Sequence, residues 1–160
     1  MCGGSDASGA VRIVLLEPEI PQNTGSIARL AAATATPLDL IGPLGFSLED
    51  RYLKRAGLDY WPWVDLAVHE SWDRYLAEPR PGRLIGFSAR STVSYTRCAF
   101  RDDDRLLFGK ETKGLAPEVL DLLGDQVFTI PMATTHVRSL NLSNAVSIVV
   151  YEARRQLGLA

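Results

Sequence analysis

The stretch Arg105-Leu106-Leu107-Phe108-Gly109-Lys110-Glu111-Thr112-Lys113-Gly114-Leu115 decides how this chain is read. Its first four residues read as a short strand, Arg105 followed by the apolar run Leu106-Leu107-Phe108, which is too short for a helix. The polar, glycine-bounded turn that follows breaks the run, and Pro117 then suits the first turn of a helix to Leu123. A strand, a loop able to bind something, and a helix in succession is the unit of an α/β sheet.

Working outward, the same unit recurs. Val11 to Leu16 reads as a buried strand. Pro18 and Pro21 are expected to hold the next segment extended, and Asn23 or Thr24 to cap a helix through about Ala33. A short strand follows at Leu38 to Ile41. Ser47 and Asp50 look like a capping box for a helix ending at Gly57. Val64 to Val68 reads as a weaker strand, and Ser71 as the cap of a short helix through Leu76. Leu84 to Ser88 is a further strand, trailed by the polar stretch Ala89 to Thr96. Gln126 to Ile130 is expected to be the last strand, with Ser139 capping a long helix that ends at Leu157. That helix is apolar almost all round from Leu142 to Ala153, which places it in the centre or at a subunit interface. The interface is favoured, because a terminal helix of a small domain is rarely enclosed on every side.

The chain has 160 residues, 46% of them hydrophobic and 22% charged, which fits one soluble domain with a full core. Residues 1–10 are small and polar and read as a disordered tail, leaving 11–160 as a single domain. No apolar run is long enough to span a bilayer. Cys2 and Cys98 are the only cysteines, so no disulfide framework is expected and a reducing cytoplasm is the default. A net charge of −2 excludes a nonspecific nucleic-acid coat, but it leaves room for a local basic face. His69 and His136 lie far apart without partners at ligand spacing, so no metal site is expected.

Three strand-end loops hold the residues able to do chemistry. They are Glu17-Pro18-Glu19-Ile20-Pro21-Gln22-Asn23-Thr24-Gly25 with Arg29 beyond it, Gly109 to Leu115, and Ile130-Pro131-Met132 followed by Val137-Arg138-Ser139-Leu140-Asn141-Leu142-Ser143-Asn144-Ala145. Ligands of open α/β sheets sit at the carboxyl ends of strands. Singly, each residue also has an ordinary explanation: Asn23 and Asn141 as caps, the glycines as turns, Arg29 as a solvated charge, Tyr151 as packing.

In this order and spacing the loops resemble the SPOUT class of methyltransferases. Lys54-Arg55-Ala56-Gly57-Leu58-Asp59-Tyr60 adds a further match. Within the class the chain is similar to the family that methylates the ribose 2′-hydroxyl of the wobble nucleotide, position 34, of leucine tRNAs. The similarity runs from about Val11 to Leu157. Lys110 departs from it, at a position often proline, and the Ala133 to Val137 loop is slightly long.

The resemblance implies a SPOUT fold: a mostly parallel sheet flanked by helices, with a C-terminal trefoil knot and a homodimer. It implies S-adenosylmethionine (SAM) as methyl donor, S-adenosylhomocysteine as product, and the anticodon loop of tRNA as partner. It places Phe87, Gly109, Ile130, Met132, Ser139 and Leu140 at the cofactor, where a larger residue at Gly109 would fill the pocket. It assigns Arg29, Asn23, Glu111 and Asn141 to the catalytic centre, with Arg29 reaching across from the other subunit. Arg51, Lys54, Arg55, Lys113, Arg138 and Tyr151 are the candidates for RNA contact, and Lys110 joins them as a phosphate contact. The alternatives left open are another tRNA position, ribosomal RNA, or RNA binding without catalysis.

Overall fold

The structure, a computed structural model, describes residues 11–57 and 60–159. The expected tail, residues 1–10, and Leu58-Asp59 of the Lys54–Tyr60 motif lie outside that range.

Six strands form one sheet: β1 Arg12–Leu16, β2 Leu38–Ile41, β3 Leu66–His69, β4 Leu84–Phe87, β5 Arg105–Phe108 and β6 Val127–Phe128. Every pairing is parallel, in the order β3-β2-β1-β5-β4-β6. Among the described residues five α-helices accompany them: α1 Pro21–Thr34, α2 Arg51–Gly57, α3 Trp72–Ala77, α4 Pro117–Leu123 and α5 Leu142–Gln156. The parallel sheet of the expected SPOUT fold is therefore present.

The apolar strands are explained by burial on both faces. Along β1, Ile13 and Leu15 face a core shared with Ile27, Ala28 and Ala31 of α1 and Val146, Val149 and Val150 of α5. Val14 and Leu16 face the opposite core, with Tyr75 of α3 and Val119 and Leu123 of α4. Each such fully enclosed aliphatic side chain is worth about 1.5–3 kcal/mol relative to exposure. Two carboxylates are enclosed as well. Asp104 accepts both ends of the Arg83 guanidinium at 2.8 and 2.7 Å, and Asp39 accepts Arg12 at 2.9 and 3.1 Å. Unpaired, either charge would be prohibitive to bury. Cys98 is a free, buried thiol pushed up to about 11 by desolvation, far from nucleophilic at neutral pH.

Several expected boundaries move. Pro21 opens α1 rather than keeping the chain extended, because proline's fixed φ suits the first helical position. Ile20 is the N-cap residue and gives no side-chain bond, so neither Asn23 nor Thr24 is a cap. At α2 there is no capping box: Asp50 Oδ1 accepts the Tyr52 and Leu53 amides, while the Ser47 hydroxyl accepts the Glu49 amide rather than that of Asp50, which goes to the Ser47 carbonyl. β3 begins two residues later than expected, after a 3-10 turn at Trp61–Trp63. β6 is reduced to two residues, since Thr129 leaves the ladder to bond the Val93 and Tyr95 backbone. Asn141, not Ser139, caps α5. Within this single chain α5 is not enclosed all round. Val146, Val149, Val150 and Ala153 are fully buried, whereas Tyr151 is half exposed.

Candidate active site

β1 and β5 lie side by side at the centre of the sheet, with Leu15 opposite Phe108. From β1 the chain moves outward one way to β2 and β3, and on the other side it occupies β5, β4 and β6. This is a topological switch point, where the loops leaving two neighbouring strands part and leave a crevice. The loops after β1 and β5 meet there.

Their meeting is reciprocal. Glu111 Oε1 accepts the Glu19 amide at 2.7 Å, and its Oε2 accepts the Ile20 amide at 3.0 Å and the Asn23 side-chain amide at 3.2 Å. In return Glu19 Oε1 accepts the Thr112 amide at 3.0 Å and the Thr112 hydroxyl at 2.8 Å. Lys110 Nζ reaches Glu17 at 3.0 Å. The third loop is tied in by Asn141, whose Nδ2 donates to Asn23 Oδ1 at 3.0 Å. Its Oδ1 meanwhile accepts the Ser143 and Asn144 amides at the start of α5. Asn141, Asn23 and Glu111 thus form one chain of hydrogen bonds joining three loops that lie far apart in sequence.

The bonds to Thr112, aided by the charges of Lys110 and Lys113, hold the Glu19 carboxyl below its ordinary range. The sign follows from linkage: a carboxylate with a depressed pKa stabilises the folded state above its unfolded pKa, and that contribution is lost as pH falls through the folded value. A Glu19→Gln variant should therefore melt below the wild type at neutral pH, by less than about 1 kcal/mol because the clasp is solvent-accessible. The gap should close in acid below about pH 4, under the ordinary glutamate value. Paired thermal melts across that range check it, and a gap independent of pH would remove Glu19 as its source.

Beside the clasp lies a cavity of about 830 Å³. Phe87 and Phe108, stacked with centroids 5.0 Å apart, both line it. Gly109, Ile130, Met132, Ser139 and Leu140 line it too, as do Asn23, Glu111, Asn141, Lys110, Lys113 and Arg138. All six residues expected at the cofactor are therefore brought together. Gly109 plays a different part from the one expected. A Cβ there would sit 2.2 Å from the Gly114 carbonyl carbon and 2.4 Å from the Leu115 nitrogen. The position is reserved for the close approach of the loop's own backbone, not for open pocket.

The remaining candidates lie elsewhere. Arg29 is on the exposed side of α1, its guanidinium carbon 5.1 Å from the centre of the Tyr60 ring, and it does not line the cavity. Arg51 and Lys54 on α2 engage Tyr52 and Glu49, and Arg55 is exposed on the same helix. Tyr151 stands on the outer side of α5. Arg90, on the loop after β4, lines the cavity; the sequence reading passed over it inside a polar stretch. Among the described residues no group of three or more His, Cys, Asp or Glu could hold a metal ion, and no helix is long and apolar enough to cross a membrane.

A parallel sheet with a strand-end cavity closed by these three loops defines the class: the chain belongs to the SpoU methylase family, matching what is described as the SpoU rRNA Methylase family over residues 10–151. A tRNA (cytidine(34)-2′-O)-methyltransferase from Saccharophagus degradans is 48% identical over 149 residues, spanning 92% of this chain and 96% of the relative. A solved structure concerned with 2-OH methylation of C/U34 on tRNA is 52% identical with a TM-score of 0.88, covering 93% of this chain and 97% of that one. The SpoU methyltransferase AviRb from Streptomyces viridochromogenes, in complex with AdoMet, is 26% identical with a TM-score of 0.83, covering 95% of this chain and 62% of that one.

Proposed function

We propose that this chain transfers a methyl group from SAM to the ribose 2′-hydroxyl of the wobble nucleotide, position 34, of tRNA. The observation that carries the reading is the convergence of three strand-end loops on one cavity with a stacked aromatic floor. Its size lies within the range of sites that enclose small ligands. The names of the position-34 relatives, similar over nearly their whole length, support the substrate.

The residues present fit SAM. Phe87, Ile130, Met132 and Leu140 offer apolar surface to a purine, and the Gly109–Gly114 loop brings backbone groups close. When bound, SAM supplies a methyl already activated by its sulfonium. The chain's own task is to hold the ribose oxygen in line and to stabilise charge as its proton departs. Correct placement alone is worth about 7–11 kcal/mol of barrier.

Glu111 is the one acidic residue lining the cavity, and no histidine lines it among the described residues. Three N–H donors engage the Glu111 carboxylate, so its part, with Asn23 and Asn141, is to position the loops rather than to take the proton. Water accepts the proton in this reading, and Arg29, supplied by the second copy of a homodimer, stabilises the developing alkoxide. The open side of α5, with Tyr151, belongs to the dimer or its RNA groove. Lys113 and Arg138 contact phosphates of the anticodon loop, and Arg51, Lys54 and Arg55 extend that surface. Leucine tRNAs, a cytoplasmic location and a trefoil knot through the C-terminal half complete the proposal.

Incubating the protein with labelled SAM and tRNA, then mapping the product by mass spectrometry, tests it. The expected result is a 2′-O-methyl group on nucleotide 34. Methyl on a different nucleotide would refute the wobble assignment, and no transfer to any RNA would refute the activity.

A further inference from the structure

The cavity has four basic residues on its walls: Arg90, Lys110, Lys113 and Arg138. Lys110 is spoken for by Glu17. The other three are exposed, and among the described residues none of them forms an ion pair. Of the chain's other fourteen Lys and Arg side chains seven are paired with acids, Arg12, Lys54, Arg74, Arg80, Arg83, Lys110 and Arg155, so what sets these three apart is the cavity they share rather than the lack of a partner. Each of the three comes from a different loop. Arg90 follows β4, Lys113 lies in the loop after β5, and Arg138 precedes α5. The fold therefore delivers one unpaired cation per loop to a single cavity, on a protein whose net charge is −2.

Unpaired cations around a cavity call for an anion. Two anions are in reach of this chemistry: a phosphate of the RNA, and the carboxylate of the cofactor's methionine tail. Charge separates them. SAM carries a sulfonium, an ammonium and one carboxylate, so its net charge is positive and three extra cations oppose it. A phosphodiester chain gains from all three.

We infer that Arg90 is an RNA-binding residue that holds a backbone phosphate next to the methylated nucleotide, completing a three-loop set with Lys113 and Arg138. The inference rests on the reading of the chain as a tRNA methyltransferase. The guanidinium suits a bidentate grip on phosphate. Its backbone is held by the Ser88 hydroxyl, which accepts the Arg90 amide at 3.1 Å, so the side chain leaves from a fixed turn directly after β4.

Filter binding of tRNA across a salt series, with SAM affinity measured separately by calorimetry in the absence of RNA, tests this. Arg90→Ala should weaken tRNA binding about tenfold at low salt and reduce the slope of log K against log salt by about 0.7–0.9, the loss of one phosphate contact. Arg90→Lys should keep the slope. SAM affinity in Arg90→Ala should be unchanged or tighter, since a repelling charge has gone. An unaltered salt slope in Arg90→Ala would overturn the inference. So would a SAM affinity weakened several-fold, which would give Arg90 to the cofactor's carboxylate. If the slope falls as expected but wild-type protein leaves nucleotide 34 unmethylated, the phosphate contact stands and the proposed function falls. If nucleotide 34 is methylated and the slope does not change, only Arg90 is lost.

Discussion

Gly109→Val should bind SAM at least 100-fold more weakly than the wild type while keeping its sheet. The new Cβ would land 2.2–2.5 Å from backbone atoms of Gly114 and Leu115, and backbone cannot rotate out of the way as a side-chain tip can. The loop is a closed unit: the Gly114 amide donates to the Lys110 carbonyl at 2.8 Å, and Glu111 and Thr112 between them are clasped to the loop after β1. Pushing Gly114 away from Gly109 therefore opens the cavity wall and strains the clasp together. Overpacking of this kind costs about 1–3 kcal/mol. That is enough to lower the melting temperature without dissolving a core built on β1, β5, α1 and α5. Gly114 makes the useful contrast. It has φ +66 and nothing within 4 Å of an added Cβ, so Gly114→Ala should cost only the left-handed backbone penalty of about 1–2 kcal/mol. Calorimetric titration with SAM and thermal melts of both variants check the pair. A folded Gly109→Val protein with wild-type SAM affinity would show that the cofactor does not depend on this loop.

How much of this was legible in the sequence depends on the range of the interaction. The strands could be found because a strand buried on both faces must be apolar along its length, as Ile13 to Leu16 and Leu106 to Phe108 are. Short-range rules served where one local bond decides the outcome, as with Ser71, which accepts the Arg74 amide. They failed where a distant partner wins. Asn23 looks like a cap because its residue type commonly caps helices, yet its side chain is bonded to Glu111 and Asn141, 88 and 118 residues away. Pro21 takes the start of α1 instead. The three loops could be picked out by their residue types, and the resemblance gathered them into one site. Only coordinates show that Glu19 and Glu111 grip each other's loops, that Gly109 faces backbone, and that Arg90 joins the same cavity. For Arg51, Lys54 and Arg55, charge and type gave no information on direction, and the fold places them on α2, away from the cavity lining.

Arg29→Ala should lower methyl transfer by about 100- to 1,000-fold, the range for removing one donor to a developing oxyanion, with SAM affinity held within twofold. The second half follows from geometry. Arg29 points away from the core that Ile27, Ala28 and Ala31 of the same helix bury. It rests on Tyr60 and lines no part of its own chain's cavity, so removing it should leave the cofactor undisturbed. The first half then requires that it act on substrate held by a second copy. A guanidinium stays charged at neutral pH, which rules it out as an efficient base and suits it to fixing phosphate or alkoxide. Arg29→Lys should accordingly fail to restore turnover, because an ammonium lacks the planar fork. Mixing separates the two geometries. Copies carrying Arg29→Ala keep an intact cavity and copies carrying Gly109→Val keep an intact Arg29, so a mixed dimer rebuilds one complete site only if Arg29 works across the interface. Recovery of transfer on mixing, from two inactive preparations, is the expected result. Two proteins that stay inactive together, though shown to associate, would return Arg29 to its own chain and remove the second copy from the chemistry.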